Sequence, residues 1–382
     1  MGAVLGLMQP TVFTKASGLD VLAVVPYQLG FQPKDSLVVI ALRPPRGRLG
    51  MMTRFDLTPM RQGGVGREQA RRLLLYLQAD GANGAFVIRY ASVADGPAHQ
   101  DPAMLALVPE LARVLDKVAC WDVVGHSITP LHQGSLQAMA RSYTDQDVAS
   151  TRMAATMVAQ GATFQQERAD LALLPQVAGE QMRLAGRCQR RVLDRLPLFS
   201  TNQLVSWRLE ELARWRRWLD RLAKADQGLD QVAVPASELG HMGALLQDIT
   251  GRDAVLVLLT DQIPGAEILT AQGESSPDVF SALATPGHQP SDRYLEAAPR
   301  LLALVAAHQA KSRRSGTLAL MAWFAWWHSD GARAAVLAEA ALALPDPPSL
   351  ARLVRDLVQA QILPAALRLM ADHPGVVPAS LA

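Results

Sequence analysis

Four groups of residues in this chain have the types and spacing that chemistry needs. The first is Trp121-Asp-Val-Val-Gly-His-Ser-Ile-Thr129, in which an apolar stretch runs into Gly125-His-Ser127. A strand that turns sharply through Gly-x-Ser-x-Gly presents its serine as a nucleophile, provided tiny residues stand two positions either side of it. Gly125 meets that demand; Thr129, followed by Pro130, does not. The chemistry also needs an acid and a histidine on later strand ends, and the chain beyond residue 135 reads as helices. Ser127 is therefore expected to be an ordinary strand-end residue.

The second group is Arg54 and Asp56, which alternate by two and so share one face near a strand's end. Strand ends are where α/β layers meet ligands, so the pair is a candidate binding site; an ion pair or a turn cap is the other reading. The third, Gly63-Gly-Val-Gly66 ahead of a helix, could offer backbone amides to a phosphate. It lacks both Gly-x-Gly-x-x-Gly and Gly-Lys-Ser/Thr, and reads as a flexible loop. The fourth is the helix expected over Gln203–Ala225, where Trp207, Trp215 and Trp218 interleave with Arg208, Arg214, Arg216, Arg217 and Arg221. Such a helix could track a nucleic-acid backbone with indoles free to stack. Leu212, Trp215, Leu219 and Leu222 nevertheless make one apolar stripe. Arg214, Arg217 and Arg221 then lie on the other side, as candidate binding residues or as a solvated basic face. Cys120, His126 and His132 have no zinc spacing. The sequence thus assigns no catalytic residue, no cofactor and no metal.

The elements that must position these residues fall into two kinds. Ser17 can cap a helix through Tyr27 that Gly30 would end, and Ser36–Leu42 is a short Val- and Ile-rich run, hence a buried strand. Turn chemistry at Arg43-Pro-Pro-Arg-Gly47 leads to a partner strand Arg48–Leu57. A helix Arg67–Ala79, a strand Ala85–Tyr90, a helix from Asp101-Pro102 to about Ala119 and a strand Trp121–Val124 follow. This order predicts an α/β N-terminal domain over residues 1–135, a mixed sheet with at least two crossover helices.

Beyond it the periodicity is helical, predicting an all-α, stacked-helix C-terminal part. The expected helices are Asp145–Gln160, Gln165–Leu174, Gly179–Leu196, Gln203–Ala225, Ser237–Ile249, Asp253–Leu259, Ala298–Lys311, Leu318–His328, Ala332–Leu344 and Leu350–Gln361. Asp226–Pro235 reads as a linker and Gln262–Pro290 as a mobile segment. Residues 136–235 thus form a helical middle segment carrying the basic Arg/Trp helix, and 236–382 a C-terminal helical domain. Leu318–Pro345 has the spacing of one tetratricopeptide-type hairpin. On its first helix Leu320, Trp323, Phe324 and Trp327 form the natural inner face, which displaces Trp326 toward the edge and makes it a candidate binding residue.

Composition bounds what these parts can do. The chain has 382 residues, 49% hydrophobic and 19% charged, enough for sizeable cores and too apolar for wholesale disorder. Lys and Arg total 37 against 35 acidic residues, so no global polycationic role is implied. Regionally, residues 183–224 are net +7 and 225–382 net −6, a pattern that suits internal docking at least as well as an external partner. Met1–Thr14 has no Lys or Arg, and the apolar run Leu318–Trp327 is half of the ~20 residues a membrane span requires. With two widely spaced cysteines, Cys120 and Cys188, a cytoplasmic protein without membrane contact is expected.

Several segments together resemble the bacterial family known as domain of unknown function 4192. They are Val25-Pro-Tyr-Gln-Leu-Gly-Phe31, Pro33, Asp35-Ser-Leu-Val-Val39 and Arg54-Phe-Asp-Leu57, then Met157-Val-Ala-Gln-Gly161 with Glu167-Arg168 and Leu171. Asp248, Arg252-Asp-Ala254, Ala298-Pro299, Leu301–Leu304, Ala322-Trp323 and Asp330-Gly-Ala332 continue the match, and Ala338-Glu339, Ala341-Leu342 and Pro345-Asp346 complete it. The resemblance implies an intracellular protein and no established activity. Family members often carry a Cys- and Pro-containing stretch after the Trp121 region; only Cys120 and Pro130 stand here, so no metal or redox role carries over.

The leading expectation is a non-catalytic binding or adaptor protein whose C-terminal helices engage a protein partner. An enzyme, a hydrolase for example, with its site at the strand ends of the α/β domain is the alternative. A weak nucleic-acid binder acting through residues 183–224 is the second, with nucleic acid the less expected partner. Oligomeric state is open. A fluorophosphonate probe is expected to leave Ser127 unlabelled; labelling that disappears in Ser127→Ala would show that the elbow is real.

Overall fold

The computed structural model describes residues 2–4, 17–45, 47–225, 232–260, 263–274, 291–360, 362 and 364. They form two compact units, the first built on the chain up to Leu171 and the second on helices from Ala172 onward.

The first unit is a seven-stranded mixed sheet in the order β1 (Gly2–Val4), β3 (Arg48–Asp56), β2 (Ser36–Arg43), β4 (Gly84–Ala91), β5 (Lys117–Val124), β6 (Ser127–Leu131), β7 (Tyr143–Thr144). Strand β2 is antiparallel to both its neighbours, β3 and β4. That central place explains why Leu37 to Ala41 are all buried with no alternation of polar residues. Because β2 opposes both, β3 and β4 run the same way, and β4 and β5 pair parallel. The C-terminal ends of β3, β4 and β5 therefore lie along one edge of the sheet, together with Ser36 at the start of β2.

Helix α1 (Gly18–Leu29) covers one face, packing Val21, Leu22, Val25 and Leu29 on Val38, Ile40, Ile88 and Tyr90. It starts in a reciprocal cap in which the Ser17 amide donates to Asp20 and the Asp20 amide to Ser17, and it ends at Gly30. The other face is covered by α3 (Gly63–Ala79) and α4 (Pro102–Ala112), through Leu73, Leu77, Met104 and Leu107 on Leu37, Val39, Val87 and Cys120. A one-turn helix α2 (Leu57–Met60) links β3 to α3.

Three expectations for this unit are corrected. Gly63, Gly64 and Gly66 are the first turn of α3 rather than a flexible loop. A Cβ on Gly66 would stand 2.2 Å from the Met60 carbonyl oxygen, so glycine lets α3 begin against α2. Helix α4 ends at Ala112, not near Ala119, because Lys117 to Val124 are taken up in an eight-residue parallel ladder with β4. Finally, the unit does not stop near residue 135. Strand β7, α5 (Asp145–Ala149) and α6 (Arg152–Ala159) extend it, with Tyr143, Val148 and Leu171 packed against the core under α1.

The second unit holds α7 (Gly179–Leu193), α8 (Thr201–Ala223), α9 (Ala236–Leu245), α10 (Ile249–Thr260), α11 (Ala266–Gln272), α12 (Ala297–His308), α13 (Ser315–Trp327), α14 (Gly331–Leu342) and α15 (Ser349–Gln359). The expected helix Gln165–Leu174 is only a 3-10 turn, Arg168–Ala172. Helix α11 stands inside the segment read as mobile, of which residues 275–290 lie outside the described residues, as do 226–231 of the expected linker. The expected division between a middle segment and a C-terminal domain at 235/236 is absent. Trp207, Trp215 and Leu219 of α8 share one core with Leu245, Leu301, Leu320 and Trp327. Gly240 brings α9 close to α7, since a Cβ there would lie 2.4 Å from the Ala185 carbonyl oxygen.

Helix α13 is buried all round except at Ser315 and Trp323, as befits a central helix. Its closest neighbours among the described helices are α12 and α15. A tetratricopeptide hairpin would instead make the next helix in sequence its main partner. Trp326 is also not at an exposed edge: it is 5% exposed, and its indole N–H donates to the Ile362 carbonyl at 3.0 Å. Trp323, stacked on Trp327, is the more accessible ring. Trp326 is buried rather than displaced to an edge because α13 has several buried faces where an amphipathic helix has one. Trp326→Ala and Trp327→Ala should therefore both destabilise this unit, by about 3–5 kcal/mol as buried aromatic truncations do. Chemical denaturation monitored by the helical signal measures this, and wild-type stability of Trp326→Ala would return that ring to the surface.

Candidate functional site

Two clusters of charge sit at the strand-end edge of the sheet, one on each face. On the α3/α4 face, Arg89 of β4 has no exposed surface, yet every nitrogen of its guanidinium is used. Nε and Nη2 donate to the two Asp122 oxygens at 2.8 and 2.9 Å, Nη1 donates to Asp101 at 2.8 Å, and Nη2 also reaches the Gly96 carbonyl at 2.8 Å. Asp101 caps α4 by accepting the Ala103 amide at 2.9 Å, and it accepts a fork from Arg61, which also reaches Asp95 at 2.6 Å. Burial works against the Arg89 charge, but its hydrogen bonds to Asp122 and Asp101 outweigh it and raise its pKa. Burial likewise works to raise Asp101, and Arg61 and Arg89 bring it below the usual carboxylate range. Asp95 is held at about 2, first by hydrogen bonds from Ser92 and then by Arg61. No local pattern in the sequence points to this network. Its only signal was a pair of charged residues, Arg89 and Asp122, inside otherwise apolar strands.

On the α1 face, Arg54 and Asp56 come together as their spacing predicts, and further groups join them. Arg54 is 4% exposed; its Nε donates to Ser36 Oγ at 2.8 Å and Nη2 to Asp56 at 2.6 Å, and the guanidinium lies over the Phe31 ring at 5.7 Å. Ser36 in turn donates to the Lys34 carbonyl at 2.5 Å, which commits its proton. Asp35, between them, adopts a left-handed backbone with φ +45°, a strain of the kind retained at functional sites. Its carbonyl accepts the Leu57 amide at 2.9 Å and fixes the loop against the end of β3.

A distant segment completes the cluster. Gln32 donates to the Gln165 carbonyl at 2.9 Å and Gln165 to the Gly30 carbonyl at 2.8 Å, a parallel bridge that carries Glu167 and Arg168 to the site. Glu167 pairs with Lys34. Arg168 makes no ion pair with any described residue. Burial chiefly, and the like charge of Arg168, press the Arg54 guanidinium below its ordinary pKa, against the pull of Asp56. Burial would raise the Asp56 carboxyl, but Arg54 and Arg168 lower it. Two buried donors, Arg54 Nη1 and Arg168 Nε, meet no hydrogen-bond acceptor among the described residues.

The remaining candidates lie elsewhere. Ser127 is exposed and opens β6, paired with Val124 across the two-residue turn Gly125-His126; a hairpin stands where an elbow would need a helix. On α8 the arginines are met by acids: Arg208 by Asp248, which accepts a fork from it, Arg214 by Glu211 and Glu238, Arg216 by Glu267, and Arg217 by Glu238. Arg221 lies over the Trp218 ring, and Trp207, Trp215 and Trp218 are buried, so none of these indoles is free to stack. No helix among the described residues is long and apolar enough to cross a membrane.

A mixed-sheet α/β unit with a charged strand-end cluster, followed by an all-helical unit, is the class of protein that fold and site define. The chain belongs to the family described as domain of unknown function (DUF4192), which matches residues 19–365. Comparison with curated proteins and with solved structures gives no match. Phe31, Asp35, Ser36, Arg54, Asp56, Glu167 and Arg168, gathered at the α1-face cluster, all come from segments in which the sequence resembles that family.

The Arg89 network makes a pH-dependent contribution of definite sign. Asp95 and Asp101 ionise in the fold below the unfolded value of about 4, so their stabilisation is present above that pH and is lost as pH falls through their folded values. Asp101→Asn, which keeps the helix cap but removes the charge under Arg89, should cost about 3–5 kcal/mol at neutral pH. The difference from wild type should shrink as pH falls from about 4 toward 2. Denaturation at a series of pH values measures it, and a difference constant with pH would contradict the assignment.

Proposed function

We propose that this chain is a non-catalytic binding protein of the bacterial cytoplasm whose α/β unit holds a small oxyanion, a phosphate or carboxylate group, at Arg54 and Arg168. The observation that carries the reading is the pair of buried guanidinium donors with no acceptor among the described residues, one on each arginine. Leaving a buried charged donor unmet costs about 1–3 kcal/mol or more, and a single oxyanion bridging the two would relieve both. Arginine suits the task because its planar fork matches the geometry of such groups. Asp56 does not cancel the site, since it is already engaged by Arg54 Nη2. Arg168 then remains as the cation with no ion pair among the described residues.

Binding is favoured over catalysis by the protonation states. Asp56 is held in its charged form beside Arg54, and the Ser36 proton is committed to a carbonyl. General acid–base work needs a group poised near the operating pH, and none of these is. The burial of Trp326 removes the residue on which a protein partner at the C-terminal helices was expected, so the reading rests on the α/β unit. Both cysteines are free thiols, in keeping with a reducing compartment.

The test is thermal denaturation in increasing inorganic phosphate and, separately, a small dicarboxylate, at constant ionic strength. A ligand present at 100 times its Kd stabilises by about 2.7 kcal/mol, so one of the two should raise the melting temperature of the wild type. Arg168→Gln, at a half-buried position without an ion pair, should fold and lose that response. An identical response in Arg168→Gln, or none to either anion in the wild type, would contradict the proposal.

A further inference from the structure

The arginines of the second unit divide into two populations. Those of α8 are each matched by an acid or an aromatic ring. On α7, Arg183, Arg187, Arg190 and Arg191 are all exposed, and none of them forms a hydrogen bond or ion pair with any described residue. They occupy one side of the helix, opposite the buried Ala185 and Gln189 that seat α7 against α9. Gln189 anchors that seating by donating to the Gly243 carbonyl at 3.0 Å. The stripe is thus held on a fixed helix, not on a loose segment.

Its spacing is unfavourable for the helix itself. Arg183 and Arg187, Arg187 and Arg191, and Arg187 and Arg190 stand four, four and three residues apart, the separations at which like charges destabilise a helix. Arg190 and Arg191 gain from the helix dipole at the C-terminal end, whereas Arg183 and Arg187 do not. The acids on the same element, Glu180 and Asp194, stand at its two ends. On α9, which packs against α7, Glu238 is engaged by α8. The surface is therefore a cationic strip about 12 Å long, from the rise of about 1.5 Å per residue.

We propose that this strip docks on the phosphate backbone of duplex DNA. Positively charged, planar donors about 6 Å apart along a rigid helix suit successive phosphates of a strand, and arginine meets each phosphate bidentately. Helix α7 carries no aromatic side chain, so it lacks the stacking platform that single strands require. With contacts to phosphate alone, binding is independent of sequence and steeply dependent on salt. This also places the basic character of residues 183–224 on α7 and not on the Arg/Trp helix α8.

Fluorescence anisotropy of a labelled 20-base-pair duplex, titrated with the full chain at several salt concentrations, tests it. Each phosphate contact contributes about 0.9 to the slope of log affinity on log salt. The quadruple Arg183→Gln/Arg187→Gln/Arg190→Gln/Arg191→Gln should reduce that slope by about 3 to 4 and weaken binding at least tenfold in low salt. The milder pair Arg187→Gln/Arg191→Gln should lose about half of that slope while melting no lower than wild type, since like charges have been removed. Arg67→Gln/Arg71→Gln, on the exposed side of α3, should leave the slope unchanged. An unchanged slope in both α7 variants, an equal loss in the α3 variant, or capture by anionic phosphatidylglycerol vesicles with none by the duplex would each overturn the proposal.

Discussion

A fully buried guanidinium is the constraint around which the α/β unit is arranged. Arg89 sits near the end of the central strand with no exposed surface, and it can remain charged there only if each of its donors finds an acceptor. That demand ties β4 to β5 through Asp122, β4 to the start of α4 through Asp101, and both to the turn at Gly96. Arg61, following α2, fastens the same carboxylate from the other side. One charge thereby fixes two parallel strand ends and the first turn of a helix.

At the same edge, on the opposite face, Arg54 is nearly as buried but less completely matched. Ser36, Asp56 and the Phe31 ring account for most of its guanidinium, while Nη1 has no acceptor among the described residues and a second cation, Arg168, is held nearby. The two arginines stand in one fold under similar burial, so burial alone does not explain the difference. A network that is complete on one face and incomplete on the other is what a structural site and a ligand site side by side would present. The helical unit repeats the contrast, with α8 neutralised by its neighbours and α7 left cationic.

Much of this organisation could be read from the chain. The Ser17 cap, the central strand from Ser36, the hairpin to Asp56 and most of the later helices follow from local periodicity and capping residues. The shared face of Arg54 and Asp56 followed from strand geometry alone. Arg168 did not, because its arrival depends on a backbone bridge between Gln165 and the Gly30–Gln32 turn, 133 residues apart for Gln32 and Gln165. The end of α4 is not legible locally, since Val118 to Cys120 suit either a helix or a strand and only the ladder with β4 decides. The burial of Trp326 is illegible for a related reason. A wheel assigns faces for one helix, whereas α13 is surrounded by several.

The central claim is that Arg54 and Arg168 together hold an oxyanion. Its most direct measurement is nuclear magnetic resonance of the arginine Nε–H groups during titration with phosphate or a dicarboxylate. The Arg168 Nε–H resonance, assigned by its loss in Arg168→Gln, should shift and saturate together with that of Arg54, while Arg89, already fully engaged, stays in place. A titration in which neither Arg54 nor Arg168 responds to either anion, or in which exposed arginines such as Arg67 and Arg71 respond equally, would contradict the account.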